Sequence, residues 1–429
     1  MNGGGQPSSS ERPRSGERSN VGERPAGWAL PQVRRRGERL YIGNVLPVSE
    51  TGAFAADADI GAQTHLAFQR LRDALASAGA ELADLVRINT YYVYQGPEDG
   101  ATRYWERMTA VRLQYFADPG PVGTAVRVAG TARDGALIQL EAEALLPSER
   151  AARQRIMPAD SWDWSVPVPL SQGWRHGDYV WVGGQVCADR QGRAVSLGQL
   201  EAQTDTVLRY ISNVLRDGGM AAEQLLHLKI CYLHDGDAAA AERRLAAIKA
   251  RIDAVYGDAV PAITAFGVNL LYEGLLLEID ASAASGARVD RRDESISSSS
   301  SISSVASVAP TASIRGRYLQ TGGHSMAPAA GAAAPLADCL LASAGACLRT
   351  IAEAGGSAGD VCRLTAFVAR PAWREAALPD AGPADAEALQ RSLRALWPAA
   401  AAPSITVSVV EGLPGNAPVQ VDALAWIGN

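Results

Sequence analysis

The sequence predicts an α+β fold built from three tandem copies of one small module. Residues 62–93 and 202–233 align without a gap, and both begin with Ala-Gln-Thr. Residues 338–369 keep the same spacing without that beginning. The repeat period is therefore about 140 residues, the size of one domain, and the chain of 429 residues holds three such copies.

Each copy carries the same order of predicted elements. Apolar residues such as Leu66, Leu71 and Leu75 recur near the 3.6-residue period of an amphipathic helix, which ends at Gly79. The alternating run at residues 85–93 then predicts a strand. A Gly-bounded strand opens each copy, at residues 38–44, 179–185 and 318–324.

A second helix follows the middle strand, and two strands close each copy. The second helices are predicted at residues 101–116, 238–255 and 384–396. The closing pair begins at a proline, which is Pro121, Pro261 or Pro403. Elements in this order predict an antiparallel or mixed sheet with the helices on one face.

Composition places the module boundaries. Residues 1–27 are rich in Gly, Ser, Pro and Arg, which predicts a disordered tail, and their three glutamates argue against a transit peptide. A Ser-rich run predicts a linker at residues 286–311. The modules are accordingly predicted at residues 28–150, 160–285 and 312–429.

Charge and hydrophobic content argue against two classes of partner. A formal net charge of −6 disfavours nucleic acid, because phosphate binding requires clustered Lys and Arg. No apolar run approaches the roughly 18 residues of a membrane span. The five cysteines are odd in number and lack CxxC spacing, so we expect buried, reduced thiols and a cytoplasmic location.

Several short motifs recur in a fixed order. They are Gly-Gly-Gln at residues 183–185, Ala-Gln-Thr at 202–204, a late proline turn and an acidic closing strand. In this order they resemble the RidA/YjgF family of enamine/imine deaminases, over residues 28–147, 161–283 and 312–428. Members of that family are homotrimers with a central β-barrel and sites in the clefts between subunits. The resemblance therefore implies a single-chain pseudo-trimer with a barrel and three clefts.

The family's carboxylate anchor is missing from all three copies. In the family, an arginine after the late proline binds the substrate carboxylate through a bidentate contact. The matching positions here are Gly123, Ile263 and Ile405. The resemblance thus predicts that Ile263 and Ile405 form part of apolar cleft walls, which bind a larger or less charged ligand.

Only one copy retains the family's second key residue, a glutamate on the closing strand that positions or activates water. The matching positions are Gln139, Glu278 and Gln420. A carboxylate can accept a proton, whereas a glutamine amide can only orient water. We therefore predict Glu278 as the catalytic acid–base residue and the two glutamines as ligand-binding residues. The alternative for Glu278 is a structural carboxylate paired across the seam between modules.

Two further residues are candidates for acid–base chemistry. Asp280 lies two residues after Glu278, on the same face of the strand, and is predicted to supply a paired carboxylate. Glu141 and Asp422 hold the equivalent positions, so the alternative is a structural acid. His324 is predicted beside the cleft of the third copy, and a satisfied structural histidine is the alternative.

Glycines at the end of the opening strand match the family glycine whose backbone N–H faces the ligand. They are Gly43, Gly184 and Gly323, of which the last two follow Gly183 and Gly322. Close approach of a ligand to the backbone excludes a Cβ atom, so these glycines are predicted to bind substrate. An ordinary strand-end glycine is the alternative.

Tryptophans cluster at the start of the second copy, where the family places residues that cover the ligand. The cluster comprises Trp162, Trp164, Trp174 and Trp181. One interpretation is an aromatic lid, with Trp164 binding a flat substrate, and the other is core packing. Cys231 is interpreted as a core residue, because no histidine partner is evident.

The resemblance predicts an enzyme that acts on an imine, enamine or related C–N intermediate, by hydrolysis, deamination or cyclisation, in specialised or degradative metabolism. The alternatives are a noncatalytic ligand-binding protein with decayed clefts and a scaffold for a pathway enzyme. No metal-ligand spacing, P-loop or dinucleotide fingerprint occurs in a supporting context, so we expect no metal and no cofactor. The expected partner is a small molecule.

Overall fold

A computed structural model describes most of the chain, namely residues 31–49, 54, 57–270, 274–291, 310–326, 335–376 and 386–428. The predicted tail at residues 1–27 lies outside the described residues, as does most of the Ser-rich segment. Within the described part, none of the helices combines the length and apolarity that a membrane crossing requires.

The strands form three separate sheets, one for each module. The first sheet contains β1 (Gln32–Arg36), β2 (Arg39–Val45), β3 (Leu85–Tyr92), β4 (Val122–Arg127) and β5 (Ile138–Leu145). The second contains β6 (Arg153–Ile156), β7 (Gly173–His176), β8 (Tyr179–Gln185), β9 (Leu225–Leu233), β10 (Ala262–Val268) and β11 (Leu277–Ala284). The third contains β12 (Arg288–Arg291), β13 (Ala312–Arg315), β14 (Tyr318–Thr321), β15 (Val361–Ala369), β16 (Ser404–Val410) and β17 (Val419–Trp426).

The helices of each module pack beside its sheet. Those described are α1 (Ile60–Ser77), α2 (Ala101–Arg112), α3 (Leu200–Asp217), α4 (Ala238–Tyr256), α5 (Leu336–Glu353), α6 (Arg370–Ala376) and α7 (Ala386–Arg394). The side chain of Asp59 caps α1 by accepting a hydrogen bond from the N–H of Ala62 at 2.9 Å. Gly79, which directly follows the cap residue of α1, has φ +75°, in agreement with the predicted helix end.

Each sheet has the same mixed topology. The strand order is β1-β2-β5-β3-β4 in the first module, and the other two sheets repeat it as β7-β8-β11-β9-β10 and β13-β14-β17-β15-β16. The last pair in each sheet is parallel, and the remaining pairs are antiparallel. The prediction of an α+β fold with a mixed sheet is therefore confirmed.

The predicted opening strand is not the first strand of its module. In each copy a preceding strand, β1, β7 or β13, pairs with it through a two-residue turn. Each turn begins at a glycine with φ of 56–57°, a left-handed conformation that glycine adopts without steric cost. Strands β6 and β12 each add one more strand at the edge of the second and third sheets. β6 lies between the predicted first and second modules, and β12 lies within the predicted linker at residues 286–311.

Each module has its own apolar core, and two further clusters draw side chains from all three modules. At the shared centre, the buried carboxylate of Glu143 accepts hydrogen bonds from Trp181 Nε1 at 2.8 Å and from Arg363 at 2.5 Å. These three residues belong to three different modules. The guanidinium of Arg39 lies 4.3 Å from the ring centre of Tyr179 and 4.7 Å from that of Tyr318. Each module thus contacts both others.

The sheets of neighbouring modules touch at a few backbone positions but stay separate. Isolated bridges join them, such as Gly130 with Val409 and Gly267 with Gly412. Among the described residues, the strands do not form one closed hydrogen-bonded sheet. The central barrel, which the resemblance implied, therefore remains a prediction.

Candidate functional site

The closing strands place three equivalent residues at one level of the three sheets. Gln139 on β5 lies opposite Tyr91, and Glu278 on β11 lies opposite Cys231. Gln420 on β17 holds the same register position in the third module. The predicted equivalence of these positions agrees with the hydrogen-bond register. The surroundings of the three residues can therefore be compared directly.

Glu278 lies in a cleft between the first and second modules, here called the Glu278 cleft. Its carboxyl packs directly on the backbone of Gly184, because a Cβ atom at that position would lie only 1.9 Å from Oε1 of Glu278. Gly183 lies against the first module, since an added Cβ would lie 3.2 Å from the carbonyl oxygen of Gly123. The residues lining the cleft are Trp105, Arg112, Gly123, Ala125, Trp162, Trp164, Ser165, Leu170, Gly184, Val186, Ala188, Gly192, Leu270, Leu275 and Glu278.

The Glu278 carboxyl is partly buried and lacks a hydrogen-bond partner among the described residues. Burial and, to a lesser degree, the charge of Asp280 raise its pKa to about 8, against the opposing effect of Lys229. At neutral pH the group is therefore mostly a protonated carboxylic acid, which can donate a proton as well as accept one.

Asp280 is not among the residues that line the Glu278 cleft. Its carboxylate is buried, forms an ion pair with Lys229 at 2.7 Å and accepts a hydrogen bond from Thr124 at 3.0 Å. Burial alone would raise the pKa of Asp280, but the charges of Lys229 and Arg87 hold it below its usual value. These contacts favour the structural interpretation, in which Asp280 helps to join the first two modules.

The glycine alignment in the first copy is off by one residue. Gly43 corresponds in sheet register to Gly183, and Asn44 corresponds to Gly184. The cleft between the first and third modules consequently contains an amide where the Glu278 cleft has a glycine. Asn44 Oδ1 accepts a hydrogen bond from Gln139 Nε2 at 2.9 Å, so these two side chains occupy the space themselves.

Gln139 is fully engaged in hydrogen bonds within the protein. Besides its bond to Asn44, it donates to the carbonyl oxygen of Val407 at 3.1 Å and accepts from the N–H of Ala132 at 2.9 Å. Ile405 is fully buried in the core of the third module and does not form an open cleft wall, contrary to the prediction. These internal hydrogen bonds of Gln139 and the burial of Ile405 do not favour a ligand-binding role for either residue.

The junction between the second and third modules resembles the Glu278 cleft in its glycines but lacks its carboxyl. The N–H of Gly323 donates to the carbonyl oxygen of Ile263 at 2.9 Å, and a Cβ on Gly323 would lie 2.5 Å from Oε1 of Gln420. An added Cβ on Gly322 would lie 3.0 Å from the Ile263 carbonyl oxygen. The Ile263 side chain packs on the core of the second module.

His324 is not brought together with Glu278. It pairs through its backbone with Val421 in the third module, next to Gln420. The three residues predicted as catalytic thus occupy three separate environments, and only Glu278 lines the cleft between the first and second modules.

A family model described as Endoribonuclease L-PSP matches residues 24–146 and 165–285, which together exceed half of the chain. The chain belongs to this family, the RidA/YjgF family. The match covers the first two modules, and the third repeats their strand order. No curated protein sequence matches the chain.

Several solved structures are similar to this RidA/YjgF protein. A chorismatase is 16% identical, with 59% of this chain and 76% of that one covered and a TM-score of 0.43. A putative endoribonuclease from Thermotoga maritima is 21% identical, with 31% and 98% covered and a TM-score of 0.27. A YjgF/YER057c/UK114 family member from Mycobacterium tuberculosis is 22% identical, with 31% and 98% covered and a TM-score of 0.25.

The tryptophan cluster of this RidA/YjgF protein divides between cleft and core. Trp162 and Trp164 line the Glu278 cleft, with ring centres 4.9 Å apart, and Trp162 Nε1 donates to Gln185 Oε1 at 3.0 Å. Trp174 and Trp181 are buried in the apolar cluster shared by the modules. Two of the four tryptophans therefore lie at the cleft, and the other two are core residues. Cys231 is buried, as predicted, and so are the other cysteines.

Sequence reasoning missed one charged residue of this RidA/YjgF site. Arg112, at the end of α2 in the first module, lines the Glu278 cleft and is only 4% exposed. A signal for it exists, because Trp105, Met108, Thr109 and Arg112 follow the i, i+3, i+4, i+7 spacing of a buried helix face. A cation on such a face is unusual, since buried charges are normally paired.

Proposed function

We propose that this RidA/YjgF protein is an enzyme that acts on an imine, enamine or related C–N intermediate, with the Glu278 cleft as its active site. One observation carries the proposal. The only closing-strand carboxyl among the three equivalent positions lies in a cleft against a glycine backbone, with its pKa raised to about 8. A carboxyl that is neutral at pH 7 but can still ionise is suited to general acid–base catalysis.

The proposed chemistry for an imine uses Glu278 twice. The protonated carboxyl first donates its proton to the imine nitrogen, which makes the carbon more electrophilic. Water then adds to that carbon and gives one proton to the Glu278 carboxylate. Proton transfer to the amino group and loss of ammonia leave the carbonyl product. The sum is imine plus water to carbonyl compound plus ammonia, and Glu278 ends protonated as it began.

The remaining cleft residues support binding of a flat substrate. The two half-buried indoles of Trp162 and Trp164 offer apolar ring surface beside Glu278. The absence of a Cβ at Gly184 lets the Glu278 carboxyl lie directly against the backbone of β8. The other two junctions have glutamine in place of the acid, and at one of them Asn44 and Gln139 bond to each other. We therefore assign catalysis to one cleft of three.

We also infer that the three modules form a pseudo-trimeric ring. Equivalent residues meet where the modules join, as Arg39, Tyr179 and Tyr318 do at one level. Two apolar clusters and the Glu143 carboxylate connect all three modules. A ring within one chain lets its clefts diverge independently, which fits the retention of the acid in one of them.

The test is a panel of freshly generated imines and enamines, assayed for ammonia and carbonyl product. The expected result is accelerated hydrolysis of at least one aromatic or bulky member, reduced about 100-fold or more by Glu278→Gln. The exposed Glu201 offers a matched control, because Glu201→Gln makes the same change on the surface of the second module. Ligand binding without conversion of any panel member would instead favour a noncatalytic binding protein.

A further inference from the structure

The guanidinium of Arg112 is buried at the wall of the Glu278 cleft without a neutralising partner. It is 4% exposed, and no acidic side chain among the described residues forms an ion pair with it. Its single hydrogen bond to a described side chain joins Nη2 to Thr109 Oγ1 at 3.2 Å. A guanidinium has five N–H donors, so most of its hydrogen-bonding capacity is left for a ligand.

The surroundings of Arg112 do not compensate for the loss of water. The indole of Trp105 lies 5.9 Å from the guanidinium carbon, which is a weak cation–π contact. Burial lowers the pKa of Arg112 to about 10, and no nearby charge opposes this effect. The side chain is still protonated at neutral pH. The cleft therefore holds a permanent positive charge that lacks a counter-ion within the described protein.

Arg112 and Glu278 come from different modules but line the same cleft. Arg112 is on α2 of the first module, and Glu278 is on β11 of the second. A protonated Glu278 carries no charge, so it does not neutralise Arg112. The half-buried rings of Trp162 and Trp164 belong to the same cleft. A ligand with an anionic end and a flat apolar body complements these groups.

We propose that Arg112 is the anion-binding residue of the Glu278 cleft and that the ligand is a monocarboxylate whose flat apolar body lies against Trp162 and Trp164. One guanidinium matches one carboxylate in charge and in bidentate geometry. The proposal deepens the proposed function, on which it rests for the choice of cleft. It also reverses the expectation of a less charged ligand. The proline turn of the first module carries Gly123 in place of the family's arginine, but Arg112 from helix α2 supplies a positive charge to the same cleft.

The test compares two probes of nearly the same shape by isothermal titration calorimetry. Indole-3-acetate carries a negative charge, and indole-3-acetamide is neutral with a donor NH2 group in place of one oxygen. Wild-type protein is expected to bind the carboxylate about 10- to 100-fold more tightly than the amide. Arg112→Gln should abolish this preference, because the carboxylate should lose far more affinity than the amide. Arg103→Gln, at an exposed position of the same helix, should retain it. Equal affinities, no binding of either probe, or a preference that survives Arg112→Gln would overturn the proposal.

A second measurement guards against a variant that loses its fold. Arg112→Met removes an unneutralised buried charge while filling similar space, so Tm should rise by about 2 °C or more in the absence of ligand. Added indole-3-acetate should raise the Tm of wild type but not of this variant. A fall in Tm would mean that Arg112 is structural and would overturn the proposal.

These readouts are separate from turnover. Carboxylate preference without hydrolysis of any imine would leave Arg112 as the anion-binding residue and remove the enzymatic proposal. Hydrolysis of uncharged imines without carboxylate preference would retain the enzyme and remove this role of Arg112.

Discussion

Replacing Glu278 by glutamine should change how the stability of the protein depends on pH. In the unfolded chain the carboxyl ionises near 4.5, whereas in the folded protein its pKa is about 8. Between these values the folded state binds more protons than the unfolded state. Stability therefore falls as pH rises through this window, and the contribution of Glu278 is constant below and above it.

The size of the effect follows from the two pKa values. One pKa unit corresponds to about 1.4 kcal/mol, so the interval from 4.5 to about 8 amounts to about 5 kcal/mol. Glutamine is of similar shape and does not ionise. As pH is raised from 5 to 8, wild type should lose stability that Glu278→Gln keeps. The difference in unfolding free energy, variant minus wild type, should therefore grow by up to about 1.4 kcal/mol per pH unit.

The assay is urea unfolding of both proteins across this pH range. Subtracting the two curves removes the contributions of groups present in both, such as Asp422, whose pKa burial raises to about 6. Glu201→Gln, at an exposed position of the same module, should run parallel to wild type. Parallel curves for wild type and Glu278→Gln would refute the raised pKa, and with it the idea that the cleft holds a protonated carboxyl.

Three further predictions concern other parts of the molecule. Lys229→Met leaves the buried Asp280 carboxylate without its ion-pair partner and should cost about 3–5 kcal/mol of unfolding free energy. Arg244→Met breaks a surface ion pair and should cost less than about 1 kcal/mol, so equal losses in urea unfolding would contradict the prediction. Gly345→Ala, in the middle of α5 where an added Cβ approaches nothing closer than 3.5 Å, should stabilise by about 0.5–1 kcal/mol, and a lower urea midpoint would contradict this. Because all five cysteines are free and buried, Ellman's reagent should react only slowly with the native protein. After denaturation it should titrate five thiols, and rapid reaction of the native protein would argue against burial.

Much of the fold could be predicted because the repeat supplies three independent versions of one pattern. The helix stripe at Leu66, Leu71 and Leu75 and the closing glycine Gly79 reflect local chemistry, and the structure confirms α1 there. The strands β1, β7 and β13 were missed, although each precedes a turn glycine with a positive φ. The glycine between the two strands was interpreted only as the boundary of the second one.

The candidate site was predictable only in part. Glu278 could be located because its alignment with Gln139 rests on the whole closing strand. Gly43 was misaligned, because one glycine in the first copy can match either of two in the second, and only the cross-strand register distinguishes them. The spacing on α2 places Arg112 on a buried face, but only the docking of two modules turns that face into a cleft wall.

The central claim is that a protonated Glu278 acts as the acid in the cleft between the first two modules. The most direct test is the pH dependence of kcat/KM for the imine that wild-type protein hydrolyses fastest, corrected for uncatalysed hydrolysis. Because kcat/KM reports ionisations of the free enzyme, the account predicts a tenfold fall per pH unit above about pH 8, as Glu278 ionises. A rate constant that stays level or rises from pH 7 to pH 9.5 would contradict it.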